Sequence, residues 1–227
     1  MRPPRWFLLV YALSGAAALV YEVAWTRLLT LSFGHGVAAA STVLAAFMGG
    51  LAVGAAIAGP ASDRLTRPRA LRLYAIAELA VALLALAMPL GLAAFEPLLR
   101  GAYGDGAPGA AFPLLRLLTA LVLVALPAAA MGATFPLCAR WFVPGAAAAT
   151  RDAGALYAAN TTGAALGALL TGFVLLPTLG LRLTTWTGVA MNLVVAGVAW
   201  VLAARPAGDP AVPPAPATPP PTGRVPK

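Results

Sequence analysis

Charge is scarce in this chain of 227 residues: 10% are charged against 61% hydrophobic, and mean hydropathy is +0.87. Soluble domains carry roughly a quarter charged residues. A water-soluble globular domain is therefore excluded, and an integral membrane protein is expected. Cysteine and histidine are almost absent. With Cys138 the single cysteine, no intramolecular disulfide can form. With His35 the single histidine, a transition-metal site has too few ligands, and neither metal nor cofactor is expected.

What charge there is leans positive, with a net +8. A nucleic-acid partner is set aside because the basic residues sit in short clusters between apolar runs, the pattern that orients membrane helices. Taking about 20 apolar residues as a span, six segments emerge: Trp6 to Leu31, Val37 to Ala61, Leu71 to Phe95, Phe112 to Trp141, Gly154 to Leu176 and Leu183 to Ala203. The start, MRPPRWFLLV, has the basic residues and apolar run of a signal peptide. That run continues far past a normal h-region, so it reads as a retained first helix.

Outside the spans, one side collects Arg2, Arg5, Arg64, Arg67, Arg69 and Arg140, together with Arg151, Arg205, Arg224 and Lys227. The other side has Arg100 and Arg182, so both termini are expected in the cytoplasm. The loop Ala102 to Ala111 is Gly-rich and reads as a flexible external connection. Beyond Ala204 the chain becomes proline-rich, the composition of a disordered tail or linker rather than of a packed core. A linker composition at the end of the sequence raises the expectation of a truncated or split version of something longer.

Segment two holds Gly50, Gly54, Ala55 and Gly59, and segment five holds Gly163, Gly167, Ala168 and Gly172, the same spacing shifted by 113. The shift also carries segments one and three onto segments four and six. Two three-helix units in one chain would be inverted relative to each other in a membrane. Small residues four apart also let helix backbones approach, so the glycines are expected at helix contacts.

Two carboxylates lie deep in the apolar runs. Glu22 sits about 5 Å past the middle of the first span and Glu78 within about 5 Å of mid-depth in the third. An ionisable group at that depth costs about 2.5–3.5 kcal/mol, so each should face protein or a water-filled cavity. They could bind a cation, share a proton, or stay neutral and hydrogen-bonded. Arg27 lies about 12 Å past the middle and about 140° around the helix from Glu22, close enough to the edge to snorkel. Asn160, beside Thr161 and Thr162, could bind a ligand or tie helices together. Pro127 and Pro136 interrupt segment four and Pro89 the third, freeing carbonyls for a cavity or kinking helices for packing.

After segment two comes Gly59-Pro-Ala-Ser-Asp63-Arg64-Leu-Thr-Arg67-Pro-Arg69. This resembles the cytoplasmic motif of the major facilitator superfamily, with Thr66 where that family has Gly. The resemblance implies that Asp63 caps a neighbouring helix and that Arg64 and Arg67 take part in gating ion pairs; the alternative is an ordinary basic loop.

Four strings stand together: SGAAALVYEVAWTRLL at 14–29, STVLAAFMGGLAVGAAIAGPASDR at 41–64, LPAAAMGATFPLCARW at 126–141 and LYAANTTGAALGALLTGFVLLPTLGLR at 156–182. They resemble the membrane portion of bacterial fused proteins that join major-facilitator-like helices to a spermidine synthase domain. The implied fold is all-α, six transmembrane helices in a 3+3 inverted repeat, in the bacterial inner membrane. The synthase domain of such proteins carries a Gly-rich acidic nucleotide motif, which this chain lacks, so no aminopropyl transfer is expected from it alone. The resemblance implies a lipid-embedded module that binds or passes polyamines or related cations, working with a synthase domain or further helices encoded separately. Alternatives are a half-size transporter acting as a homo-oligomer and a catalytically silent anchor.

Overall fold

The computed structural model describes residues 3–33, 37–103, 109 and 111–205, and these form helices and short connections without a strand. The helices are α1 (Phe7–Phe33), α2 (Val37–Asp63), α3 (Arg67–Tyr103), α4 (Phe112–Ala120), α5 (Leu126–Phe142), α6 (Ala149–Leu170) and α7 (Leu176–Ala204). The proline-rich tail and most of the Gly-rich loop lie outside the described residues.

Prolines shape the second half of the chain without ending its helices. A π-helical turn, Leu121–Ala125, joins α4 to α5 just before Pro127, and a second, Thr171–Leu175, joins α6 to α7 just before Pro177. Proline offers no N–H, and its ring crowds the carbonyl four residues back. Widening the turn relieves both problems while the rod continues. Pro127 therefore does not break the fourth segment.

Five rods are long and apolar enough to cross a membrane where the sequence predicts six segments, because the last two run together as Ala149–Ala204. At 1.5 Å per residue that rod would be about 84 Å long against a hydrocarbon core of about 30 Å. Gly180 interrupts it, with φ 69° and ψ 177°, a backbone conformation that glycine reaches without a Cβ penalty.

Helix registers fix the directions on either side of Gly180. Ala12 faces Gly163 and Ala16 faces Gly167, so α6 runs parallel to α1. Past Gly180 the sense reverses: Tyr21 meets Gly188 and Asn192, while Phe7 and Tyr11 share a cluster with Ala199 and Leu202.

Two seams hold the bundle. In one, Gly163 and Gly167 of α6 lie on the backbone at Ala12 and Ala16 of α1. In the other, Gly50 and Gly54 of α2 lie on the backbone at Ala125 and Ala129. Adding 113 to Ala12, Ala16, Gly50 and Gly54 gives Ala125, Ala129, Gly163 and Gly167, so one seam reproduces the other residue for residue. A methyl group at any of the four glycines would overlap facing main chain, which is why only the smallest residue permits this approach. Gly59 and Gly172, expected at helix contacts with them, face open space.

The core divides into two clusters, one toward each end. One gathers Phe7, Tyr11, Tyr74, Leu137, Cys138 and Leu156 with the last turns of α7. The other gathers Tyr21, Trp25, Phe47, Phe112, Val124 and Val189 with the C-terminal part of α3. Between them the apolar packing is interrupted by polar groups.

Candidate functional site

Glu78 is 1% exposed and brings both carboxylate oxygens into use. Ser14 Oγ of α1 donates to Oε1 at 2.5 Å, and Asn192 Nδ2 of α7 donates to Oε2. Tyr21 Oη in turn donates to Asn192 Oδ1 at 2.7 Å, which directs the asparagine's amide hydrogens toward the carboxylate. Every donor in this chain of bonds is neutral. Among the described residues no cation balances Glu78, so its carboxylate has the donor set of an acceptor-only group without a counter-ion.

A cavity of about 90 Å³ opens beside it. Its polar lining is Ser14, Glu78, Thr134, Asn160 and Asn192, and its apolar lining includes Gly15, Ala18, Leu19, Phe47 and Met131. Each helix brings its residue by register: Ser14, Gly15, Ala18 and Leu19 share one face of α1, and Glu78 and Val81 one face of α3. The volume exceeds what one water needs, and the polar groups provide partners for several. The Thr134 hydroxyl is already committed, donating to the Met131 carbonyl at 2.6 Å, whereas Asn160 Nδ2 makes only a long bond to the Tyr11 carbonyl at 3.3 Å.

One helical turn from these residues, on five helices at once, stands an apolar floor: Tyr11, Tyr74, Leu137, Leu156 and Val195, with Cys138 among them. Tyr74 packs edge-on against Phe7 and Tyr11 at 6.3 and 6.0 Å, and among the described residues its hydroxyl has no hydrogen-bond partner.

Of the residues singled out from sequence, Glu78 and Asn160 meet at the cavity and Glu22 and Arg27 do not. Glu22 is half-buried, one turn beyond Ala18, and makes no hydrogen bond or ion pair among the described residues. Arg27 is exposed on the other side of α1. Sequence reasoning missed Ser14, Tyr21 and Asn192. Asn192 lies next to position 191, which the shift of 113 assigns as the counterpart of Glu78, and that was the available signal. It also left aside Arg116, whose guanidinium stands 6.0 Å from the centre of the Phe112 ring.

At the end of the molecule beyond the floor, arginines bind backbone rather than acids. Both the Nε and NH2 groups of Arg67 donate to the Trp141 carbonyl near the C-terminus of α5, and Arg140 Nε donates to the Leu65 carbonyl at 2.9 Å. The two bonds run in opposite directions between the same two segments, and a cation at a helix C-terminus also meets the negative end of its dipole. Asp63 and Arg64 are exposed. The ion pairs among the described residues are elsewhere, Arg100 with Glu96 and Arg151 with Asp152.

An all-helical chain with membrane-length rods around a buried, hydrogen-bonded carboxylate is the class that fold and site define. Among curated proteins, it is 33% identical over 214 residues to the polyamine aminopropyltransferases of two Mycobacterium tuberculosis strains, CDC 1551 and H37Rv, and of Mycobacterium bovis. The match takes in 88% of this chain and 37% of each relative, so the chain spans little more than a third of their length. No family model matches the chain, and no solved structure does.

Proposed function

We propose that this chain is the membrane module of a polyamine aminopropyltransferase-type protein and that the cavity at Glu78 receives the ammonium groups of polyamines. The observation that carries the reading is the Glu78 carboxylate, buried beside a partly polar cavity and held by Ser14 and by Asn192, which Tyr21 in turn orients. A carboxylate held by neutral donors attracts a cation. The ammonium ends of a polyamine also bring the N–H donors that Asn160 and Glu78 can still accept. The likeness to polyamine aminopropyltransferases names the class of cation.

In this reading the chain crosses the bacterial inner membrane six times, with α6 and α7 as two crossings that turn at Gly180. Its halves are an inverted 3+3 repeat of the major-facilitator kind, a view supported by the two seams related by 113 residues. Both termini lie in the cytoplasm, and the Arg67 and Arg140 bonds hold the cytoplasmic ends of α3 and α5 together there. Aminopropyl transfer belongs to a synthase domain outside this chain.

The test is spermidine binding to the purified chain in lipid nanodiscs. Wild type binds, and Glu78→Gln, which keeps the shape and removes the charge, weakens binding about tenfold or more. Equal affinity in a Glu78→Gln protein that elutes as wild type would overturn the reading.

A second reading, a half-size transporter that works as an oligomer, draws on Glu22. A half-buried carboxylate without a partner is costly against lipid, which favours a protein partner or water on that face. A chain that stays monomeric in nanodiscs across a wide range of lipid-to-protein ratio contradicts it.

A further inference from the structure

Glu22 continues the stripe of α1 that lines the cavity. Gly15, Ala18 and Leu19 are lining residues, and positions 15, 18, 19 and 22 follow the i, i+3, i+4, i+7 spacing of a single helix face. Ser14, which holds Glu78, lies eight residues before Glu22, about 12 Å along the helix axis. Glu22 therefore lies about two turns of α1 from the Ser14 that holds Glu78. Of the two carboxylates, Glu78 is buried with both oxygens hydrogen-bonded; Glu22 is half-buried with neither.

Two further observations bear on that stripe. The cavity's 90 Å³ corresponds to about three water-sized groups. It can take an ammonium and the first methylenes of an alkylamine. On the side away from Glu22 lie the buried residues Tyr11, Tyr74, Leu137 and Leu156. A chain whose ammonium lies at Glu78 and that follows the lining residues Ala18 and Leu19 runs toward Glu22.

We infer that the site is a two-point receptor for linear alkyl diammonium ions, with one ammonium at Glu78 inside the cavity and a second at Glu22 at its mouth. The inference rests on the cation-binding reading of Glu78 and adds a length rule to it. With Ser14 and Glu22 about 12 Å apart along α1 and an ammonium contact of about 2.8 Å at each carboxylate, nitrogens roughly 6–12 Å apart are the expected fit. Four methylenes between nitrogens reach the lower end of that range and a triamine chain the upper end, while two methylenes fall short.

Affinities of the full chain in nanodiscs for spermidine, 1,4-diaminobutane, 1,2-diaminoethane and n-butylamine test this. Wild type is expected to prefer spermidine or 1,4-diaminobutane over n-butylamine by about tenfold, with 1,2-diaminoethane no better than the monoamine. Glu22→Gln is expected to bring that preference to within about twofold and to leave n-butylamine affinity unchanged, while Glu78→Gln weakens all four. Glu22→Asp, which retains the charge one methylene farther back, keeps the preference and moves it toward the longer ligand. A length preference that survives Glu22→Gln overturns the second point while leaving Glu78 as the cation site. Failure of folded wild type to bind any of the amines overturns the cation-binding reading and this inference together.

Discussion

The glycine seams and the polar cavity share helices, a turn or two apart, and are built by opposite means. At the seams Gly54 and Gly163 touch facing backbone with no room for a methyl group. At the cavity, space is left open, and position is fixed by directed bonds from Ser14, Tyr21 and Asn192 to one carboxylate or to each other. In lipid there is no hydrophobic drive between helices, so a bundle depends on close packing and on polar bonds. In this chain the closest backbone contacts fall at the glycines and the directed bonds converge on Glu78.

That division ranks the effects of substitution. The largest belongs to the seams: Gly54→Val or Gly163→Val forces backbone from backbone and should destabilise by about 3 kcal/mol or more. Loss of the monodisperse peak in size-exclusion chromatography reports it. Gly172→Ala serves as control, since its Cβ meets open space; it should stay within about 0.5 kcal/mol of wild type. A seam variant as stable as the Gly172→Ala control would dissolve the distinction.

Next comes Asn192→Leu, which leaves Tyr21 Oη and Glu78 Oε2 without partners. A cost of about 1–3 kcal/mol is expected, seen as a lower midpoint in thermal unfolding, with spermidine affinity falling as Glu78 loses its alignment. If the midpoint falls and affinity holds, Asn192 is packing and not part of the site.

Smaller still is the arginine clamp. Arg67→Ala and Arg140→Ala each remove a charged donor from a carbonyl, worth about 1.5–3 kcal/mol when fully shielded and less at these part-exposed positions. The double variant should cost less than the sum, because each bond holds the same two segments together. Strict additivity in thermal unfolding would mean that the two bonds act independently.

Much of this was legible in the sequence. Apolar runs located the helices closely, since α1, α2 and the α4–α5 rod begin and end within two residues of the expected segments. The Gly50/Gly163 string located the seams because close approach demands glycine at a fixed spacing. Other features left little trace. The interval expected between segments five and six, 177–182, contains the break at Gly180, but helix continues through 177–179 because the π-helical turn before Pro177 accommodates the proline.

Asn192 is a lone amide whose partner lies 114 residues away, so nothing local marks it. The clamp was hidden for a different reason: Arg67 and Arg140 bind carbonyls, which every residue has, so no acid in the sequence announces the contact. The depth estimate treated Glu22 and Glu78 alike, and only the packing of α1 against α3 and α7 shows that one carboxylate is sealed by donors while the other stands free.

Infrared difference spectroscopy of the chain in nanodiscs, recorded on adding spermidine, probes Glu78 most directly. Wild type and Glu22→Gln are both expected to show a change in the carboxylate stretching region that Glu78→Gln lacks. The same carboxylate change in a folded Glu78→Gln protein would contradict the account.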